Sequence, residues 1–282
     1  MVTRSLLGLG PHGFHRVAYH EWGDPANPRV VVCVHGLTRN GRDFDVLASA
    51  LAGLFRVACP DLPGRGQSEW LPHPAGYAYP VYLSDMVALL ARLDGTAVDW
   101  VGTSLGGLLG MMLAAQPGTP LRRLVLNDVG PFLPKKSLRR IGEYVGADPR
   151  FADFRGLEGY LREVHAPFGP LTGEQWQHLA KHSARGLPDG TLALHYDPGI
   201  GAAFRASSLE DVDLWTVWDA VRCPVLVLRG AESDLLTRET AEEMARRGPR
   251  ARVVELPGVG HAPALLEERQ VETVRSWLSE VA

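Results

Sequence analysis

The sequence is short of lysine and cysteine and has no long apolar run, and these shortages exclude several classes of protein. Its 282 residues include three lysines and three cysteines, and its net charge is −3 at pH 7 with neutral histidines. This balance gives no electrostatic reason to expect a nucleic acid or an anionic membrane surface as partner. No run of about 18 apolar residues occurs, so the sequence predicts no membrane-spanning helix.

The cysteines and the first residues indicate the compartment. Cys33, Cys59 and Cys223 lie in or beside short apolar runs, without a C-x-x-C pair or a His/Cys ligand spacing. An odd number of such thiols is typical of small core residues in a reducing compartment. Residues 1–10 lack the continuous apolar core and cleavage site of a signal peptide. The sequence therefore predicts a cytoplasmic protein.

Composition and patterning predict one large α/β domain. Hydrophobic residues make up 45% and charged residues 22%, as in ordinary globular proteins. Apolar β-type runs predict strands at residues 30–34, 55–59, 98–101, 124–126, 225–228 and 252–256. Helices are expected between them at residues 43–54, 82–93, 105–115, 239–247 and 265–278. This alternation predicts a mainly parallel sheet with helices on both faces.

The pattern changes between residues 132 and 220, where no buried strand is expected. Helical segments are predicted there around residues 138–145, 157–165, 174–183 and 209–220, interrupted by glycine and proline. We therefore divide the chain into a core domain, residues 1–131 and 221–282, and a helical cap inserted between them. Residues 132–220 are called the cap segment below.

A G-x-S-x-G motif follows the strand at residues 98–101 and precedes an apolar helix. The motif reads Gly102-Thr103-Ser104-Leu105-Gly106. A serine on a sharp strand-to-helix turn sits in strained backbone, and glycine neighbours relieve the crowding. The helix N-terminus places backbone N–H groups beside the oxygen that becomes charged. This context predicts Ser104 as a nucleophile.

A second loop supplies the matching N–H donor. His35-Gly36-Leu37-Thr38 directly follows the strand at residues 30–34. An oxyanion hole pairs an N–H of such a loop with the N–H after the nucleophile, which predicts Leu37 and Leu105 as donors. The ring of His35 is expected to orient this loop by hydrogen bonding rather than to contact substrate.

One of the ten histidines lies where a general base is needed. Gly258-Val259-Gly260-His261-Ala262-Pro263 follows the last predicted strand and precedes the last helix. A histidine on this glycine-flanked loop can place its imidazole over the sheet against Ser104. The sequence therefore predicts His261 as the base.

Together these motifs resemble the α/β-hydrolase superfamily across nearly the whole chain outside the cap segment. A further loop, residues 61–68, is similar to the D-x-x-G-x-G-x-S loop common there, and a structural role is expected for it. The resemblance implies a mainly parallel eight-stranded sheet with the cap inserted after the sixth strand. It also implies hydrolysis, and Ser104 disfavours the dehalogenases and epoxide hydrolases, which use aspartate at that position.

The acid that would orient His261 has two candidates. The resemblance places it after the seventh strand, where Asp234 stands four residues after Gly230 and Ser233 occupies the usual G-x-x-D position. The other candidate is Asp128 at the end of the sixth strand, 24 residues after Ser104. That spacing resembles families, haloalkane dehalogenases among them, that take their acid from this strand. Asp128 is preferred because the Ser233 register moves Asp234 away from its normal place.

The substrate is the least constrained prediction. The cap segment is rich in aromatic residues and arginines, and an arginine there can bind a substrate carboxylate bidentately. The candidates are Arg139, Arg140, Arg155 and Arg162. We expect hydrolysis of a small or medium carboxylic ester by a monomer or homodimer, with no cofactor and no metal. A lactonase, an amidase or a carbon–carbon bond hydrolase for acidic metabolites would use the same residues, and a non-catalytic small-molecule receptor remains the alternative of another class.

Overall fold

The core of the protein is one sheet with helices packed on both faces. The structure, a computed structural model, describes residues 1–206 and 209–280. Four positions that the domain division includes lie outside the described residues, two in the cap segment and two at the end of the chain. They are Ser207, Ser208, Val281 and Ala282.

Eight strands, numbered along the chain, form the main sheet in the order β1-β2-β4-β3-β5-β6-β12-β13. They are β1 (Val2–Gly10), β2 (Gly13–Trp22), β3 (Val30–Val34), β4 (Arg56–Pro60), β5 (Val98–Thr103), β6 (Leu121–Asn127), β12 (Val225–Gly230) and β13 (Arg252–Leu256). In this sheet order, the six neighbouring strands that begin with β4 and end with β13 pair in parallel. The pairs β1–β2 and β2–β4 are antiparallel. The predicted fold, a mainly parallel eight-stranded sheet of the α/β-hydrolase type, is confirmed.

The hairpin of β1 and β2 is not among the predicted elements. Apolar side chains on its outer face are exposed to solvent, with Leu7 68% and Phe14 72% exposed. Strand prediction relies on apolar residues that alternate towards a core, and this hairpin departs from that rule.

Helices cover both faces of the sheet because its central strands are buried on both sides. The helices of the core domain are α1 (Asp45–Leu51), α2 (Tyr79–Arg92), α3 (Leu105–Ala114), α9 (Arg238–Arg246) and α10 (Glu268–Ser279). In β3, the side chains of Val32 and Val34 belong to the hydrophobic cluster that includes residues of α2 and α3. Those of Val31 and Cys33 belong to the cluster that includes residues of α1 and α10. Within the described residues, no helix is long and apolar enough to cross a membrane.

In the described part of the cap segment, residues 132–206 and 209–220, there are five α-helices and several very short strands. The helices are α4 (Lys135–Tyr144), α5 (Phe154–Val164), α6 (Gly173–Ser183), α7 (Ala202–Ala206) and α8 (Trp215–Ala220). The strands are β7 (Phe132–Leu133) paired with β11 (Val212–Asp213), and β8 (Arg150–Phe151), β10 (Leu192–Leu194) and β9 (Ala184–Gly186) in one small sheet. The first three predicted helices agree with α4, α5 and α6. The helix predicted over 209–220 is wrong in its first part, which forms β11, and strands of two or three residues are too short for a periodic signal.

Candidate active site

Ser104 stands at the turn between β5 and α3 in a strained backbone conformation. Its φ is 50° and its ψ is −113°, a region that residues with a Cβ rarely adopt. A Cβ on Gly102 would lie 2.3 Å from the carbonyl group of Gly106, and one on Gly106 would lie 2.0 Å from the carbonyl oxygen of Val34. Gly102 therefore permits the close approach of α3 to β5, and Gly106 that of α3 to β3.

A chain of hydrogen bonds connects Ser104 to two other side chains. The Nε2 atom of His261, on the loop after β13, lies 3.0 Å from the Oγ atom of Ser104. Its Nδ1 atom lies 2.8 Å from Oδ2 of Asp128, which follows β6 and is fully buried. Because a carboxylate only accepts, Nδ1 carries the proton, and Nε2 is left to accept from the serine hydroxyl.

The carboxylate of Asp128 accepts two further hydrogen bonds, one from the last residue of β12 and one from the loop that follows it. The backbone N–H of Gly230 donates to Oδ1 at 2.8 Å, and the hydroxyl of Ser233 donates to Oδ2 at 2.6 Å. The Ser233 oxygen in turn accepts from the N–H of Leu236 at 3.1 Å. Ser233 had a signal in the sequence, since it occupies the position where the G-x-x-D pattern has the acid, but its contact with Asp128 was not predicted.

Asp234, the alternative acid, is paired with another residue. Its two carboxylate oxygens accept from Nε and Nη2 of Arg140 on α4 at 2.7 and 2.8 Å, and its side chain is 45% exposed. The structure therefore brings Asp128, and not Asp234, to His261.

Leu37 and Leu105, the two predicted oxyanion donors, line the same cavity as Ser104. Leu105 is the first residue of α3, where backbone N–H groups have no carbonyl partner within the helix. The loop of Leu37 is fixed from behind, because its carbonyl accepts from Nε of the fully buried Arg65 at 2.8 Å. Arg65 also donates to the hydroxyl of Tyr82 at 2.7 Å.

The ring of His35 holds the same loop from inside. Nδ1 donates to the carbonyl of Gly36 at 2.7 Å, and Nε2 accepts from the N–H of Leu62 at 2.9 Å. Burial lowers the pKa of His35 to about 4, so the ring is neutral at pH 7 with one donor and one acceptor. The prediction that His35 orients this loop by hydrogen bonding is confirmed.

The loop at residues 61–68 braces the sheet edge, as predicted. Buried Asp61 accepts from the N–H of Gly41 at 2.7 Å and from that of Gln67 at 2.8 Å. The hydroxyl of Ser68 donates to the carbonyl of Asp61 at 2.5 Å and accepts from the N–H of Ala18 at 2.8 Å. These bonds connect three separate segments behind the cavity.

Ser104 and His261 open into a cavity of about 430 Å³, a volume within the range of small-molecule sites. Most of its wall is apolar, with side chains from α3, from the segment after β6, and from α4, α5 and α6. Examples are Leu108, Val129, Ile141, Val164 and Leu179. The cavity therefore suits a compact and largely apolar ligand.

Only one of the four cap arginines predicted to contact substrate lines this cavity. Arg140 does so, on the same side as its partner Asp234. The prediction for Arg139, Arg155 and Arg162 is corrected, because their side chains are exposed and are not part of the cavity wall. Arg162 instead pairs with a glutamate one turn earlier on α5.

The cavity wall also holds polar residues that were not predicted, Arg39 and His165 among them. Arg39 donates to both oxygens of Asp43 at 2.7 and 2.8 Å and to the hydroxyl of Ser183 at 2.8 Å. The ring of His165 stacks on Phe168 with centroids 4.5 Å apart, and burial lowers its pKa well below the ordinary range, with a smaller contribution from Arg39. Neither residue belongs to a sequence motif, so only the folded chain brings them to the site.

Known proteins resemble this chain over most of its length. A family model described as the alpha/beta hydrolase family matches residues 31–276. A 3-hydroxybutyrate-oligomer hydrolase from Cupriavidus necator is 52% identical over 271 residues, 93% of this chain and 92% of that protein. The crystal structure of an alpha/beta hydrolase from Novosphingobium aromaticivorans is 37% identical, with a TM-score of 0.87 over 99% of each chain. That of a Rickettsia typhi protein is 33% identical, with a TM-score of 0.94 over 100% of each chain.

The family model covers far more than half of the chain, and the relatives match it over nearly their full lengths. The eight-stranded sheet has the architecture that the motifs imply. The chain belongs to the alpha/beta hydrolase family and is a hydrolase.

Proposed function

We propose that the protein hydrolyses carboxylic esters through a covalent acyl intermediate on Ser104. The observation that carries the proposal is the chain of hydrogen bonds from Ser104 through His261 to Asp128, at the wall of a cavity of about 430 Å³. A nucleophile, a base and an orienting carboxylate within hydrogen-bond reach are the arrangement that acyl transfer requires.

In the first half of the reaction, Oγ of Ser104 attacks the ester carbonyl carbon while its proton passes to Nε2 of His261. The carbonyl oxygen becomes negatively charged and is stabilised by the N–H groups of Leu37 and Leu105. Collapse of this intermediate breaks the ester C–O bond. The leaving alkoxide takes the proton from His261 and departs as an alcohol, which leaves the acyl group on Ser104.

In the second half, water attacks the acyl carbon and gives its proton to Nε2 of His261. The same two N–H groups stabilise the second tetrahedral intermediate. Its collapse releases the carboxylic acid and returns the proton from His261 to Ser104. In both halves Asp128 keeps Nδ1 protonated and stabilises the imidazolium that forms between proton transfers.

The substrates that we propose are short oligomers of 3-hydroxybutyrate. This choice is supported by the 52% identity to a hydrolase of that name. It also fits the cavity, because such an oligomer is a methyl-branched chain of esters, mostly apolar, with one carboxylate at its end. The apolar wall suits the chain, and Arg140 is the cationic group of the cap segment that lines the cavity.

A substrate panel tests the proposal. We expect the purified protein to convert synthetic dimers and trimers of 3-hydroxybutyrate to the monomer, measured by chromatography, with Ser104→Ala as the blank. The panel also holds p-nitrophenyl esters, a lactone, the matched amide and a vinylogous diketone. If the lactone, the amide or the diketone were turned over faster than the esters, that compound class would replace esters as the proposed substrates. No turnover of any ester would refute the proposal.

Arg140 provides the first prediction on specificity. Asp234 takes two of the five N–H groups of its guanidinium, and a substrate carboxylate can bind to the remaining ones. We expect Arg140→Gln to raise KM for the acid trimer about tenfold, equivalent to ~1.4 kcal/mol, and to leave KM for the trimer methyl ester nearly unchanged.

The matched control is Arg139→Gln, on the same helix but exposed and outside the cavity wall. This variant should leave KM for the acid trimer and KM for its methyl ester at their wild-type values. An equal increase in KM for the acid and for its methyl ester in Arg140→Gln would contradict carboxylate binding, because it would indicate a structural defect instead.

A further inference from the structure

Two histidines of α6 and one aspartate of α1 meet in a cluster that is separate from the hydrogen-bonded chain of Ser104. His178 and His182 lie one helical turn apart on α6, with ring centroids 4.8 Å from each other. Their Nε2 atoms lie 3.8 and 4.0 Å from Oδ2 of Asp45. One atom from each of the three residues therefore converges on a common point, with all three within 4.8 Å of one another.

The three side chains are half-buried, which holds them in place while leaving access from solvent. Those of His182 and Asp45 are each 16% exposed and that of His178 is 26% exposed. Zinc is bound by the lone pair of a neutral imidazole nitrogen and by a carboxylate oxygen, and this cluster brings two such nitrogens and one such oxygen together.

We propose that Asp45, His178 and His182 bind a divalent transition-metal ion, with Zn²⁺ as the representative. Zinc sites use imidazole nitrogens and carboxylate oxygens at about 2.0–2.2 Å, which places neighbouring tetrahedral ligands about 3.4 Å apart. The separations of 3.8 and 4.0 Å to Asp45 need to shorten by about half an ångström, and that between the two histidine nitrogens, at most 4.8 Å, by up to about 1.4 Å. Water completes the coordination, as in other sites with three protein ligands.

The guanidinium of Arg42 would compete with a metal ion for the carboxylate of Asp45. Arg42 donates from Nε to both oxygens of Asp45, at 2.8 and 3.0 Å, and from Nη2 to Oδ2 at 2.5 Å. The Nε2–H of His178 donates to the backbone carbonyl of Arg42 at 3.0 Å. Metal binding exchanges these bonds at Oδ2 and Nε2 for metal bonds, and the proton of His178 moves to Nδ1. A variant without the guanidinium should therefore bind the ion more tightly.

The position of the site gives the ion an effect beyond its own ligands. Asp45 belongs to the core domain and the two histidines to the cap segment, so the ion would join the two. The neighbouring residues Phe44 and Leu179 line the cavity of Ser104. A bound ion would therefore hold together the part of the cavity wall where α6 meets the segment before α1. The site could not be predicted from the sequence, because Asp45 is more than a hundred residues from the histidine pair.

Zn²⁺ titration of protein freed of metal with a chelator tests the inference. We expect one ion to bind per chain by isothermal titration calorimetry. We also expect Tm to rise by about 5 °C at a Zn²⁺ concentration roughly a hundred times Kd. His178→Ala and His182→Ala should each weaken binding by at least the ~10–100-fold that loss of an outer-shell partner costs. Arg42→Gln should lower Kd below the wild-type value.

The chain offers a matched control in His12 and His73, an exposed pair with ring centroids 4.2 Å apart that belongs to no three-ligand cluster in the described residues. His12→Ala should leave Zn²⁺ binding unchanged. The inference is refuted if Zn²⁺ leaves the Tm of both wild type and Arg42→Gln unchanged, or if His12→Ala weakens binding as much as His182→Ala does.

Discussion

Ser104→Ala is expected to lower kcat for ester hydrolysis by roughly a million-fold while leaving the fold intact. The estimate follows from other serine hydrolases, in which loss of the nucleophile removes about this much. The substitution removes Oγ, the atom 3.0 Å from Nε2 of His261, and with it the acyl intermediate. Methyl-for-hydroxymethyl replacement leaves the backbone of the turn as it is, and the measurement is initial rates on a 3-hydroxybutyrate trimer.

A covalent probe separates this result from a general loss of activity. A fluorophosphonate should label the folded wild-type protein on Ser104, found by mass spectrometry of the labelled peptide, and should not label Ser104→Ala. An unchanged Tm for the variant shows that the fold is retained. Labelling at another serine, or turnover by Ser104→Ala near the wild-type rate, would assign the nucleophile elsewhere. A wild-type protein that takes no label would favour the receptor alternative.

Asp128→Asn is expected to lower kcat by about 10⁴, with little change in stability, as the equivalent change does in a serine protease. An asparagine amide facing Nδ1 of His261 would donate a proton where the carboxylate accepts one. The ring would then carry its proton on Nε2, where it cannot accept from Ser104. Steady-state kinetics on the trimer measure the loss, and Asp234→Asn is the matched control that should keep kcat near the wild-type value.

The contact between Ser233 and Asp128 allows a second test of the role proposed for Asp128. The Ser233 hydroxyl lies 2.6 Å from Oδ2 of Asp128, at the position where the G-x-x-D pattern has the acid. A second carboxylate placed there, Ser233→Asp in the Asp128→Asn background, should restore part of the lost kcat. If Asp128→Asn alone kept most of the activity and Asp234→Asn lost it, the orienting role would pass to Asp234.

The contact between Ser104 and His261 could be predicted because the signals of both residues are local in sequence. Gly102 and Gly106 are required by contacts of the turn at Ser104, so the chemistry and the backbone geometry leave the same five-residue pattern. His261 likewise stands on a glycine-flanked loop at a set place in the chain. The structure adds the distances that bring the two residues together.

The remaining polar groups could not be predicted because their partners come from distant segments. Arg39 bonds Ser183, 144 positions away, and His165 is aimed at the cavity by the end of a helix whose sequence carries no motif. For the acid, the sequence offered two positions, and the register of Ser233 favoured Asp128. Whether a cap arginine lines the cavity depends on which face of α4 or α5 meets the core domain. The amphipathic pattern of α4 does not show that Arg140 lies on that face and Arg139 does not.

The buried ring of His35, which holds the loop of Leu37 by hydrogen bonds, makes the stability of the fold depend on pH. The unfolded chain protonates this histidine near its ordinary pKa of 6.5, whereas the folded protein does so only at about 4. Between those values the unfolded state holds more protons, so the free energy of unfolding falls as the pH drops from about 6.5 towards 4. This one ring accounts for roughly 3 kcal/mol over that interval. Acidification over this interval therefore shifts the folding equilibrium towards the unfolded chain.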